Sequence, residues 1–184
     1  FTNWSGDVGS LSDANASTTT VNMSIAGAAL SITANFELKE YTLTVSANEG
    51  GDANGTGTYK HFDQVQVTAT SLTGWSFSHW SDDVSALSSD QNASTTVDIT
   101  GNTSVTANFS RNQYTLTVLA GTGGDANGSG TYDYESNASL TASANPPAGY
   151  AFSHWSGDTS TVSDLNASST IMQIPASNVT VTAN

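Results

Sequence analysis

The stretch YTLTVSANEGGDANGTGTY at residues 41–59 returns, nearly letter for letter, as YTLTVLAGTGGDANGSGTY at 114–132. A repeat at fixed spacing decides architecture before any local assignment, because every copy has to solve the same packing problem. Inside the stretch the period is two. Tyr41, Leu43, Val45 and Ala47 alternate with Thr42, Thr44 and Ser46, which predicts a strand with one apolar and one wet face. Asn54-Gly55 and Asn127-Gly128 sit between strand signals, and that dipeptide predicts a type I′ hairpin turn with φ > 0 at both central positions.

Outward from this stretch, a second series follows: FTNWSGD (1–7), FSHWSDD (77–83) and FSHWSGD (152–158), each leading to NAS, at 15–17, 92–94 and 166–168. ITANF (32–36), VTANF (105–109) and VTAN (181–184) close the unit. One full repeat therefore spans 41–109 and another 114–184, while 1–36 is the second half of a third. The joins at 37–40 and 110–113 are brief and polar, without Pro or Gly, so the modules are expected end to end with limited freedom. Alternation recurs at Val65, Val67 and Ala69, at Trp75 and Phe77, at Val97 and Ile99, and at Val105, Ala107 and Phe109. In the last unit it recurs at Tyr114, Leu116 and Val118, at Ala138, Leu140 and Ala142, at Tyr150 and Phe152, and at Val179 and Val181. Thr dominates the outward positions, as suits a half-exposed pleated surface. No window supports a helix beyond a single turn after each Trp. The expected class is all-β, with small modules in tandem.

Composition narrows the function. Against 16 Asp+Glu stand 3 Lys+Arg, a net charge of −13. Lys39, Lys60 and Arg111 are scattered, so the cationic patch needed to neutralise phosphates is missing, and nucleic acid and anionic membrane surfaces are poor partners. No apolar run is long enough to span a bilayer. FTNWSGD has neither the basic region nor the apolar core of a signal peptide, which points to a mature product or an excised piece. With no cysteine, each module must be held by its own core and its neighbours, and about 70 residues is near the lower limit for that.

YTLTV, a Gly-rich segment ending in GTY, FSHWSGD and VTANF, in that order and at this spacing, resemble the divergent internalin B-type repeat, also called the Listeria/Bacteroides repeat. The likeness covers nearly the whole chain. It implies a β-grasp-like or other all-β module, found in tandem on large secreted and cell-surface proteins as stalk, spacer or adhesion segments. It brings no catalytic residues, and it implies that Phe77 with Trp80, and Phe152 with Trp155, are core or near-core residues. Where relatives commonly carry Gly before that Trp, this chain has Asn3, His79 and His154.

No acid, base and nucleophile converge in the pattern, so no enzyme activity and no required cofactor are expected. The acidic loops after each Trp are the candidates for chemistry. Asp7, Asp13 and Asn15 align through NAS with Asp83, Asp90 and Asn92, and with Asp158, Asp164 and Asn166, a repeated set of oxygen ligands suited to calcium, which takes six to eight oxygens. Asp and Asn are also ordinary turn residues, and the spacing lacks the EF-hand pattern. Asp52 with Asn54, and Asp125 with Asn127, are explained by a turn. Glycosylation sequons are dense, with Asn15, Asn92 and Asn166 aligned at one repeat position and Asn54 and Asn127 at another. Trp75 and Tyr150 are candidates for a sugar-binding platform. Lys–Asn cross-links are not expected, since neither Lys39 nor Lys60 recurs.

In residues 1–36, Trp4, Val21, Met23 and Ile32 form an apolar face with no partner in their own copy. Further repeats of the parent chain, or copies of the same chain by strand addition, are the expected partners, with surface glycans as a further one. The function expected is that of a secreted or cell-surface structural repeat protein, forming a stalk or fibre. The alternative is a carbohydrate-binding or calcium-dependent adhesion module.

Overall fold

A computed structural model describes residues 1–23, 29–144 and 149–184. The first unit contributes β1 (Asn3–Gly6) and β2 (Ile32–Asn35), an antiparallel pair with Trp4 opposite Ala34. The second contains β3 (Glu40–Ala47), β4 (Gly51–Asn54), β5 (Gly57–Lys60), β6 (Gln64–Ser71), β7 (Trp75–Asp82), β8 (Ser94–Asp98) and β9 (Thr103–Arg111). The third repeats them as β10 (Gln113–Ala120), β11 (Gly124–Asn127), β12 (Gly130–Asp133), β13 (Asn137–Ala144), β14 (Trp155–Gly157), β15 (Ser169–Gln173) and β16 (Val179–Ala183). Single 3-10 turns at Val8–Ser10 and Val84–Ala86 follow the first two Trp strands. The all-β expectation holds.

Each full unit is two sheets packed face to face. One has the order β5-β3-β9-β7, the other β4-β6-β8, and the third unit repeats both as β12-β10-β16-β14 and β11-β13-β15. The first and last strands of a unit lie parallel at the centre of the larger sheet, Leu43 beside Thr103 through Ala47 beside Ala107. That central parallel pair is β-grasp-like. Where a β-grasp packs a helix against its sheet, however, this unit packs a three-stranded antiparallel sheet. The alternating apolar residues meet between the sheets: Leu43, Val67, Trp80, Val97, Ile99, Val105 and Ala107 are buried together, and Leu116, Leu140, Trp155, Met172, Ile174 and Val181 repeat the arrangement. Burying a Leu, Val or Ile side chain contributes about 1.5–3 kcal/mol, so this core is the main apolar contribution to a unit that has no disulfide.

The predicted hairpin at Asn54-Gly55 is not formed. β4 pairs with β6 and β5 pairs with β3, so Asn54-Gly55-Thr56 carries the chain from one sheet to the other. Only the glycine has positive φ, +129° at Gly55 and +131° at Gly128, which rules out a type I′ turn. Side-chain bonds hold the crossing. The Thr56 hydroxyl accepts from Val45 N at 2.8 Å, and Tyr59 donates its hydroxyl to Gly55 O at 2.9 Å. Ser129 with Val118, and Tyr132 with Gly128, do the same in the third unit. These bonds give a physical reason for the shared NG(T/S)GTY.

Tyr150 and Phe152, expected in a strand, precede β14. In the second unit the corresponding half of β7 is held by the end of β9, with Trp75 opposite Arg111 and Phe77 opposite Phe109. Among the described residues of the third unit, the matching ladder begins only at Trp155, opposite Ala183. In the first unit Trp4 and Ile32 are half-buried, and Val21, Met23 and Phe36 are exposed.

Between the second and third units a single residue, Asn112, separates β9 from β10. Its N–H donates to Gly74 O at 2.8 Å, its carbonyl accepts from Tyr134 N at 2.8 Å, and its Oδ1 accepts from the Ser76 hydroxyl at 2.6 Å. The Arg111 guanidinium lies 5.1 Å from the Trp75 ring centroid and 3.4 Å from Glu49 Oε1.

Candidate functional site

The loop after each Trp is hung from that residue by two bonds. Trp80 donates its backbone N–H to Asp90 O at 2.7 Å and its indole N–H to Asn92 O at 2.9 Å. Trp4 does so with Ala14 and Ala16, and Trp155 with Leu165 and Ala167. Inside the loop Asp13 Oδ1 accepts from Asn15 N, and Asp164 Oδ1 from Asn166 N, both at 2.8 Å, forming Asx turns. In the second unit the same place is held by Ser89, whose hydroxyl accepts from Gln91 N at 3.3 Å. A Thr hydroxyl six residues on receives the N–H of Asp13, Ser89 and Asp164 alike.

These bonds correct the alignment through NAS. Ser89 and Gln91, not Asp90 and Asn92, correspond to Asp13 and Asn15 and to Asp164 and Asn166, because the second loop carries its NAS one residue later relative to its Trp. Asn92 occupies the place of Ala16 and Ala167. The loops therefore do not present one set of oxygen ligands three times, and Asn92 does not share a repeat position with Asn15 and Asn166.

Asp83 and Asp158, the remaining calcium candidates, do correspond to each other and to Asp7. Their carboxylates accept backbone N–H bonds from Ser104 (2.9 Å), Thr180 (2.9 Å) and Ser31 (2.8 Å), fastening the loop to the closing strand. Among the described residues, no group of three or more Asp, Glu, His or Cys side chains converges as a metal cluster. The sequon residues Asn15, Asn54, Asn92, Asn127 and Asn166 are all exposed. His79 and His154 are exposed, each beside a Ser hydroxyl through Nδ1. The two platform candidates part company: Trp75 is half-buried under Arg111, whereas Tyr150 is 56% exposed.

Sequence reasoning passed over the most regular polar contact. The Asn that ends each TAN motif donates Nδ2 to the Ser after each Trp: Asn35 to Ser5 at 3.0 Å, Asn108 to Ser81 at 2.9 Å and Asn184 to Ser156 at 2.7 Å. The recurrence of WS and TAN in every copy was the available signal. Across all three copies, then, the polar residues that recur are spent on holding strands and loops in place.

No helix among the described residues is long and apolar enough to cross a membrane. The family model described as the divergent InlB B-repeat domain matches residues 1–40, 41–113 and 114–184, that is, all three units. Members of that family are typically extracellular or surface proteins. Neither the curated proteins nor the solved structures gave a match. With three matched intervals covering the sequence, and with one pattern of Trp, Asp and Asn contacts in each, this chain belongs to the divergent InlB B-repeat domain family.

Proposed function

We propose that the chain is a non-enzymatic structural segment of a secreted or cell-surface protein, serving as a stalk that sets other parts of its parent at a distance from the surface. The observation that carries this reading is the joint at Asn112. A lone residue between β9 and β10, bonded to Gly74, Ser76 and Tyr134, leaves no slack between successive units, as a spacer requires and a flexible tether does not. The repeated polar residues serve the fold, which supports a role in shape rather than chemistry.

Fibre formation is the finer form of the proposal. In both full units the inner edge of the closing strand is taken by a parallel strand, β3 on β9 and β10 on β16, whereas among the described residues β2 pairs only with β1. A strand donated by a further repeat or by another copy fits that edge.

The reading is tested on the native source by labelling intact cells and culture medium with antibody to this chain, before and after protease shaving. Surface or medium signal that shaving removes supports it. Signal confined to the cell interior overturns it. Electron microscopy of the purified chain separates fibres from single particles. Saturable binding of a glycan, lost in Tyr150→Ala, would favour the adhesion alternative.

A further inference from the structure

In both full units the chain crosses between the sheets on an Asn-Gly step, Asn54-Gly55 and Asn127-Gly128, and nowhere else in the sequence does Gly follow Asn. The fold demands the glycine. Besides its positive φ, an added Cβ would fall 2.8 Å from Val67 Cγ1 at Gly55 and 2.5 Å from Ser139 O at Gly128. The Asn side chain, by contrast, is exposed in both units.

The backbone nitrogen of that glycine is open as well. Ala69 N–H donates to Ala93 O and Ala142 N–H to Ser168 O, away from β4 and β11. Ala53 and Ala126, opposite them, therefore belong to the non-hydrogen-bonded pairs of their ladders, and Asn54 and Asn127 turn their backbone groups toward Thr68 and Thr141. The alternation carries the N–H of Gly55 and Gly128 to the outer side of an edge strand, and among the described residues neither has a backbone acceptor.

We propose that Asn54 and Asn127 are sites of spontaneous deamidation, gated by the bonds of the crossing. A base takes the Gly55 N–H proton, the nitrogen bonds to Asn54 Cγ, and the Cγ–Nδ2 bond breaks. Nδ2 takes up a proton and leaves as ammonia, and a five-membered imide remains. Water then opens the imide at either carbonyl. One product is aspartate; the other is isoaspartate, in which the main chain runs through Cγ and is one carbon longer. Asn127 reacts with Gly128 N in the same way. Gly hinders the attack least, since no Cβ stands beside the nitrogen. Ring closure takes Asn54 out of its extended pairing with Thr68, and Asn127 out of its pairing with Thr141. The bonds from Tyr59 to Gly55 O and between Thr56 and Val45 resist that opening, as do those of Tyr132 and Ser129 in the third unit. The extra carbon falls where the chain passes between sheets, so isoaspartate disturbs both of them. The proposal holds whether or not the chain serves as a stalk.

The test holds the folded, unglycosylated 184-residue chain in mildly alkaline buffer and follows each Asn by peptide mass spectrometry, with isoaspartate marked by a methyltransferase specific for it. Conversion of amide to acid is expected at positions 54 and 127 ahead of every other Asn, faster as pH rises, with both aspartate and isoaspartate formed. Tyr59→Phe, which frees Gly55 O, should speed conversion at 54 by about fivefold and leave 127 unchanged. Tyr132→Phe should do the reverse. Asn54→Gln should stop the reaction at 54 while 127 converts at its former rate. Conversion at 54 and 127 no faster than at the other Asn residues overturns the sites, and an unchanged ratio of the two in both Tyr variants overturns the gating. The unsubstituted chain and Asn54→Gln decide the sites even where a Tyr variant fails to fold.

Discussion

The ring of Tyr134, in the third unit, lies directly on Gly74 of the second, so close that no side chain fits between them. Gly74 has φ +81°, a conformation that costs a residue with a Cβ about 1–2 kcal/mol even without a neighbour. Gly74→Ala is therefore expected to push Tyr134 off and break the bonds through Asn112 while leaving both cores folded. Amide exchange at Asn112 and Tyr134 should speed by about tenfold, the equivalent of one lost hydrogen bond of ~1.4 kcal/mol. Unchanged exchange at those amides would mean that the joint does not depend on this contact.

Trp80→Phe keeps an aromatic ring in the core and removes one N–H. The Asn92 carbonyl then loses its indole partner, for an expected cost of about 1–3 kcal/mol in urea denaturation. Trp80→Ala should cost about 3–5 kcal/mol, since the side chain is 1% exposed. Trp4→Phe, at a half-buried indole in the incomplete unit, should cost less than Trp80→Phe. Equal losses at Trp4 and Trp80 would show that the half unit is as well closed as the full ones.

Phe109 and Phe36 end the same motif in different surroundings, 7% and 73% exposed. Phe109→Ala should destabilise by about 3–5 kcal/mol and Phe36→Ala by no more than about 0.5 kcal/mol. Equilibrium unfolding of the two variants settles the comparison, and a large effect at Phe36 would reveal that this ring is covered.

Asp83 faces solvent and accepts the Ser104 N–H, so Asp83→Asn, which keeps an acceptor, should be nearly neutral, and Asp83→Ala should lose about 0.5–1.5 kcal/mol. Melting is expected to be the same in calcium and in chelator. A rise in melting temperature with calcium, abolished in Asp83→Asn, would instead mark the loop as a cation site.

The strands were legible because their signal is local. Tyr41, Leu43 and Val45 on one face, with Thr42 and Thr44 on the other, need only the period of two. Which sheet each strand joins was not legible: Asn54-Gly55 reads as a hairpin in any local window, and only the nonlocal pairing of β5 with β3 turns it into a crossing. The loop register was hidden for a related reason. NAS is the most visible tripeptide, but the loop is fixed by where the Trp80 indole and the Thr95 hydroxyl bind, and in one copy Ser89 does with a hydroxyl what Asp13 and Asp164 do with a carboxylate. Asn108 and Ser81 escaped because a polar residue on a strand reads as solvated surface until its partner across the ladder is seen.

The parallel pairing of β3 with β9 has a mechanical consequence. The chain enters a unit at the start of β3 and leaves at the end of β9, so tension applied along the array pulls these neighbours past one another lengthwise. Their ladder bonds, from Leu43–Thr103 to Ala47–Ala107, are then loaded together in shear instead of opening one at a time like a zip. A unit wired in this way is expected to yield at high force and all at once.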